Sequence, residues 1–256
     1  ATAHIDDKEQ VRNCLRKIAL SGKHLLGLIN DVLDMSKIES GKMTLTAERI
    51  SLREVIEGIV SIVQTQVKGK RQNFNVHIDN IVVEDVYCDS VRLNQVLLNL
   101  LSNAVKYTQE GGTIQLSLYQ EEAPQEKGGD FIRTHIFVKD NGIGMTAEFL
   151  EHIFDSYSRA DSKRVQKTEG AGLGMAITKY IVDAMKGTIS VESEPEKGTQ
   201  FHLILDLEKA IVQEVDMVLP PWKMLVVDDD EVLCRTAADA LKSIGVESDW
   251  TLSGEK

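Results

Sequence analysis

The sequence predicts an α/β protein. Its centre reads as a two-layer α/β sandwich, a mixed sheet with helices on one face. One long bundle helix precedes this, and the beginning of a doubly wound α/β unit follows. Three observations carry that prediction. Val11, Ile18, Leu25 and Val32 recur every seven residues beside Cys14, Ser21, Leu28 and Met35. Between Met43 and Leu207, short alternating segments are interleaved with segments of helical period. After Pro220-Pro221, the apolar run Met224-Leu-Val-Val227 breaks into Asp228-Asp-Asp230.

Taken in order, Asp7 to Ser40 reads as one helix, ended by Gly41. Leu15, Leu26, Ile29 and Leu33 widen its stripe beyond a two-stranded seam, which suits a four-helix bundle. A strand near 43–50, a helix over 51–67 and a strand near 73–78 come next. Asp89 or Ser90 then caps a helix whose apolar face is Leu93, Val96, Leu97, Leu100, Leu101 and Val105, and Gly111-Gly112 stops it. Residues 113–119 and 131–139 read as a hairpin with a polar loop at its tip. The polar stretch between Gly142 and Gly170 shows only a turn near 147–154, and a long loop inside a compact domain is usually functional. A helix running to about Lys186 and strands at 187–194 and 200–207 close the sheet. The expected organisation is therefore 1–42, 43–210, a linker at 211–222, and 223–256.

Composition narrows the function. A net charge of −11 argues against a nucleic-acid surface, so any positive field must be local. The 3 cysteines are scattered and odd in number, which fits a reducing, cytoplasmic setting without disulfides or zinc. No apolar run reaches the roughly 18 residues of a membrane span. A membrane anchor, if the parent protein has one, is expected outside this sequence.

Four stretches carry chemistry. Asn99 and Asn103 stand one helical turn apart, although helix interiors disfavour the short amide. They are either a solvated polar stripe or oxygen donors to a magnesium ion carrying phosphates. In the second reading Lys106 offers a cation and Tyr107 a flat wall for a base. Asp140, at a strand end before Gly142-Ile143-Gly144, belongs to an ordinary turn or accepts a hydrogen bond from the exocyclic amine of adenine. Gly170, Gly172 and Gly174 run into a helix, where free N–H groups suit a triphosphate. The spacing is not that of a dinucleotide-binding fingerprint, because Met175 stands where the third glycine should be. Gly198-Thr199-Gln-Phe201 opens the last strand.

Together these stretches resemble the ATP-binding domain of sensor histidine kinases, in the superfamily shared with DNA gyrase and the heat-shock chaperone ATPases. Asn99 to Tyr107 is similar to the N box, Asp140 to Gly144 to the G1 box, Ile153 to Asp161 to the F box, and Gly170 to Gly174 to the G2 box. The resemblance implies an ATP and Mg2+ site. Its nucleotide ligands would be Asn99, Asn103, Lys106, Tyr107, Asp140, Gly142, Ile143, Gly144, Arg159, Gly170, Gly172, Leu173, Gly174 and Thr199, with Asn103 on the metal. Asn99, Lys106 and Arg159 would serve catalysis. At the position of Asn99 the hydrolysing relatives carry a glutamate. An amide cannot act as a general base, which favours transfer to a protein over hydrolysis. The stretch between Gly142 and Gly170 is where the family places the ATP lid; Lys163, Arg164 and Lys167 within it read as a solvated loop, while Arg159 matches a family position near the phosphates.

Both flanks extend the resemblance to hybrid kinases. The ending Leu33-Asp-Met-Ser-Lys-Ile-Glu-Ser40 is similar to the second helix of the dimerisation domain, which implies a homodimer in the intact protein. Residues 223–256 resemble the start of a response-regulator receiver, whose magnesium-holding acidic pair would be Asp228 and Asp229. An acidic turn is the alternative, disfavoured by the Pro-rich linker before the pair and the βα pattern around it. In the family the phospho-accepting histidine is followed by an acidic residue and, soon after, a proline. None of the 6 histidines here has that context, so the acceptor is expected outside this sequence. His24 is read as structural or solvated. The expected function is a two-component histidine kinase core passing the γ-phosphoryl to a dimerisation-helix histidine, with onward relay to a receiver or phosphotransfer protein. A non-catalytic nucleotide-binding or scaffold module, or a gyrase-like ATPase, is the alternative.

Overall fold

The computed structural model describes residues 8–124, 127, 129–158, 172–210, 223–243 and 245–253. The chain divides into two compact units, Ala1–Ile211 and Val212–Lys256.

In the first unit, α1 spans Lys8–Glu39, followed by β1 (Glu48–Ser51), α2 (Leu52–Gly69), β2 (Asn73–Asp79), β3 (Asp85–Cys88) and α3 (Ser90–Tyr107). Then come β4 (Thr113–Glu122), β5 (Phe131–Asp140), a single turn α4 (Ala147–Leu150), α5 (Gly174–Ala184), β6 (Thr188–Glu194) and β7 (Gly198–Lys209). The seven strands make one mixed sheet in the order β1-β3-β7-β5-β4-β2. β6 pairs with the start of β7, on the edge whose far end pairs with β3. Only β2 and β4 run parallel.

Strand alternation decides which face is covered. Ile114, Leu116 and Leu118 of β4, Ile132, Ile136 and Val138 of β5, and Leu203, Leu205 and Leu207 of β7 are buried. They join Ile56, Ile59 and Val63 of α2, Leu93, Val96, Leu97 and Leu100 of α3, and Ile177 and Ile181 of α5 in one core. Each fully buried aliphatic side chain contributes about 1.5–3 kcal/mol, so this core dominates the stability of the unit. The opposite face carries a stacked row in which Tyr119 lies 4.5 Å from His135 and Phe137 lies 4.0 Å from His202, centroid to centroid. The expected two-layer sandwich with helices on one face is what the chain forms.

Two local expectations need correction. The strand expected over 43–50 is reduced to Glu48–Ser51, because its partner β3 is itself only four residues long. That partner was absent from the sequence reading; Val86 and Cys88 show alternation too short to register. The hairpin, by contrast, is longer than expected, since β4 continues to Glu122.

Along α1, Leu15, Ile18, Leu25, Leu26, Ile29, Val32 and Leu33 are all about half exposed. Its bundle-type stripe therefore lacks apolar cover in the single chain. The side chain of His24 lies outside the described residues.

The second unit contains β8 (Met224–Val227), α6 (Glu231–Ser243) and β9 (Ser248–Thr251), with β8 and β9 parallel around the crossover helix. Asp228 Oδ1 accepts from the N–H of Asp230, and Asp230 Oδ1 accepts from the N–H of Val232, which fixes the start of α6. Among the described residues no group of three or more His, Cys, Asp or Glu side chains is arranged to hold a metal ion. No helix among the described residues is long and apolar enough to cross a membrane.

Candidate functional site: a cleft between α3, α5 and the end of β5

Helix α3 is held firmly at both ends, and this positions its polar face. Asp89 caps the start by accepting from the N–H of Arg92 at 3.0 Å. At the other end, Lys70 Nζ donates to the carbonyls of Val105 and Lys106, and Gln72 Nε2 donates to those of Val105 and Thr108. These donors satisfy carbonyls that a helix end leaves without partners. Burial, and then the neighbouring Lys106, hold the Lys70 ammonium below its usual range.

The buried side of α3 faces the sheet. Its other side opens onto a cleft of about 320 Å3, lined by Asn99, Ser102, Asn103, Lys106 and Tyr107. Asp140, Ile143, Gly144, Met145, Thr199 and Phe201 form one wall, and Gly172, Gly174 and Met175 another. The cleft is within the range of small-molecule sites, with apolar walls and a few convergent polar groups.

Asp140 is a buried carboxyl in this cleft. Only 9% of it is exposed, and burial pushes its carboxyl up to about 6 against the pull of backbone hydrogen bonds from Gly142 and Thr199. The Gly142 N–H donates to Oδ1 at 2.8 Å. A Cβ on Gly142 would lie 2.5 Å from the carbonyl oxygen of Tyr107, so the loop passes α3 at a distance closed to other residues. Ser193 secures the far side, donating to Gly198 O and accepting from the N–H of Met145.

Asn99 and Asn103 differ in surroundings. Asn99 Nδ2 donates to Gly174 O at 3.2 Å and to Thr178 Oγ1 at 3.3 Å, tying α3 to the start of α5. Asn103 Nδ2 contacts the Met175 sulfur at 3.4 Å. Each amide therefore spends its nitrogen on α5. The start of α5 has no side-chain cap and no acidic residue in its first turn, so its N–H groups and positive dipole end suit an anion. The Lys106 ammonium sits 5.1 Å from the Tyr107 ring centroid.

Of the sequence-predicted residues, Asn99, Asn103, Lys106, Tyr107, Asp140, Ile143, Gly144, Gly172, Gly174 and Thr199 converge on the cleft. Gly142 stands behind it as the hydrogen-bond partner of Asp140, and Leu173 is buried in the core at 1% exposure. Arg159, Gly170 and the basic side chains of Lys163, Arg164 and Lys167 lie outside the described residues. Two motifs separated in sequence do meet, since the Tyr157 N–H donates to Gly172 O at 3.0 Å. Sequence reasoning missed Asp31, Ser102, Met145, Phe149, Ile153, Ser158, Met175 and Phe201. Phe201 ends a run singled out for its glycine, and Asp31 sits on a distant helix with no signal of its own.

Residues 88–209 match the family of histidine kinase-, DNA gyrase B- and HSP90-like ATPases. The chain is 31% identical over 240 residues to the sensor histidine kinase GacS of Pseudomonas protegens, covering 91% of this chain and 25% of that protein. It is 34% identical over 259 residues to the autoinducer 2 sensor kinase/phosphatase LuxQ of Vibrio vulnificus, covering 98% and 30%. The chain carries the ATP-binding domain of sensor histidine kinases. The structure of full-length ShkA in complex with AMPPNP shares the fold at a TM-score of 0.64 and 23% identity, over 95% of this chain and 49% of that one. The chain spans between a quarter and a third of the length of the curated relatives named here. In this ATP-binding domain, the family match begins at Cys88, just before α3, and ends with β7.

Proposed function

We propose that this chain is the catalytic core of a hybrid sensor histidine kinase. In this reading 1–42 is a dimerisation-domain helix, 43–210 the catalytic domain, 211–222 a linker and 223–256 the start of a receiver. The observation that carries it is the meeting of buried Asp140, the paired amides of α3 and the uncapped start of α5 around one cleft. The half-exposed apolar stripe of α1 supports a homodimer built through that helix.

The donor set fits a magnesium nucleotide. Mg-ATP would supply the phosphoryl group when bound. Asp140 accepts from the adenine amine, and Ile143, Phe201 and Tyr107 wall the base. Asn103 offers its oxygen to the metal, Lys106 neutralises phosphate charge, and the first N–H groups of α5 hold the phosphate chain. Asn99 keeps α5 in place through Gly174 and Thr178, and as an amide it takes no proton from water. Arg159 is assigned to the phosphates from its motif.

Two measurements test this. Asn103→Ala should abolish the magnesium-dependent part of nucleotide affinity, while Asn99→Ala should reduce phosphoryl transfer more than binding. Titrations with and without magnesium separate the two, and identical behaviour of both variants refutes the distinct roles. A histidine-bearing dimerisation helix added in trans with labelled ATP should acquire acid-labile, base-stable label. Label on this chain's own His24 would instead make α1 the acceptor.

A further inference from the structure

The cleft has a lining residue from outside the ATP-binding domain, Asp31 of α1. It is placed there by a clamp one turn further along the helix. Asp34 Oδ2 accepts from Arg92 Nη1 at 3.0 Å and from Gln95 Nε2 at 2.9 Å, and the same Arg92 nitrogen also donates to Gln95 Oε1 at 2.7 Å. The ion pair is well covered, with side-chain exposures of 18% for Arg92 and 13% for Asp34. Arg92 and Gln95 occupy the first turns of α3, while Asn99, Ser102 and Asn103 occupy the following ones. Asp31 precedes Asp34 by three residues, one helical turn, and lines the same cleft as Asn99, Ser102 and Asn103. Met35 adds a second hold, 3.8 Å from Ser156 Oγ.

Asp31 has neither a hydrogen bond nor an ion pair to any described residue. Burial, then the nearby Asp34, raise its carboxyl above the usual range. Such a group gains from a cation. Among the described residues the cleft otherwise offers side-chain oxygen only from neutral groups and from buried Asp140, which is committed to the backbone of Gly142 and Thr199. Magnesium is a hard ion that binds proteins through one or two carboxylates together with substrate phosphates. The amide and hydroxyl oxygens of Asn99, Asn103, Ser102, Tyr107, Ser158 and Thr199 add no charged ligand.

Resting on the proposed nucleotide site, we propose that Asp31 is the carboxylate of its magnesium site, acting on the ion directly or through a bound water. The Asp34–Arg92–Gln95 clamp then makes tight Mg-nucleotide binding depend on α1 being docked. This gives the helix that carries the dimer contacts a direct hold on nucleotide affinity.

The test uses a non-hydrolysable ATP analogue titrated calorimetrically into the whole chain, in excess magnesium and in EDTA. Asp31→Asn should weaken binding about tenfold or more in magnesium and leave it unchanged in EDTA, the range seen when groups supporting a metal are removed. Asp34→Ala should reproduce that loss by undocking α1, and the two losses should not add in the double variant. With manganese as the ion, Asp31→Asn should weaken its binding in the ternary complex, read by electron paramagnetic resonance. Unchanged or tighter binding of Asp31→Asn in magnesium overturns the proposal, because the carboxylate would then be idle or repelling phosphate. So does an equal loss in magnesium and in EDTA. If the unaltered chain binds no nucleotide, the nucleotide reading itself falls. If it binds and only Asp31→Asn is silent, that reading stands and the role of Asp31 falls.

Discussion

Gly198→Ala should lower the melting temperature of the ATP-binding unit by about 6–20 °C and abolish nucleotide binding. Gly198 has φ +97, and a Cβ there would lie 2.0 Å from the carbonyl oxygen of Asp140 and 2.7 Å from Asn141 Cα. Overpacking against backbone and a left-handed residue other than glycine each cost about 1–3 kcal/mol, so roughly 3–5 kcal/mol is expected together. The displaced atom belongs to Asp140, the residue proposed to read the base, so fold and the proposed function would be coupled at this point. Gly144, with φ +63 and a Cβ position 1.9 Å from the carbonyl oxygen of Glu194, makes the reciprocal contact. The Glu196 N–H closes the same junction by donating to Ile143 O at 2.8 Å. Gly58 inside α2 is the control, since nothing lies within 4 Å of its Cβ position. Gly58→Ala should be neutral or stabilising by about 0.5–1 kcal/mol. Thermal melts of the three proteins decide the matter, and a Gly198→Ala melt matching the unaltered chain contradicts the argument.

Asp140→Asn should reduce ATP affinity by about 10- to 100-fold at neutral pH, the worth of one hydrogen bond to a charged acceptor. Discrimination against GTP should fall with it, because the guanine carbonyl is repelled by a carboxylate but tolerated by an amide nitrogen. Calorimetry with both nucleotides measures this, and undiminished ATP affinity or unchanged discrimination refutes the assignment.

The pH dependence has a definite sign. Burial raises the Asp140 carboxyl from 3.8 to about 6 in the folded protein, so folding favours its protonated form. Its contribution to stability is fully present below 3.8 and is lost as pH rises to about 6. Above that, the buried charge costs on the order of 3 kcal/mol. Asp140→Asn should therefore melt higher than the unaltered chain at neutral pH and lose that advantage near pH 4. ATP affinity should move the other way, falling as pH drops below about 6 and the acceptor is neutralised. A protein that holds a costly ionised group in its cleft at working pH is one in which a ligand's donor offsets that cost.

Most of the elements and the candidate nucleotide residues are legible in the linear sequence. Heptad spacing marked α1, and the Asn99 and Asn103 pair, Asp140 before two glycines and the glycine run into α5 marked a nucleotide site. These signals are local: a period, a cap or a turn depends on residues within a few positions of one another, so a linear reading captures them. The remaining features are long-range and come from packing. β3 escaped notice because a four-residue strand exists only through its partners β1 and β7. Asn99 proved to anchor α5 as well as face the cleft, since its partners Gly174 and Thr178 lie more than seventy positions away. Asp31 entered the site through a clamp linking Asp34 to Arg92 and Gln95 across about sixty residues. Such pairings follow from how faces of separate helices pack, and nothing in the spacing of either partner records them.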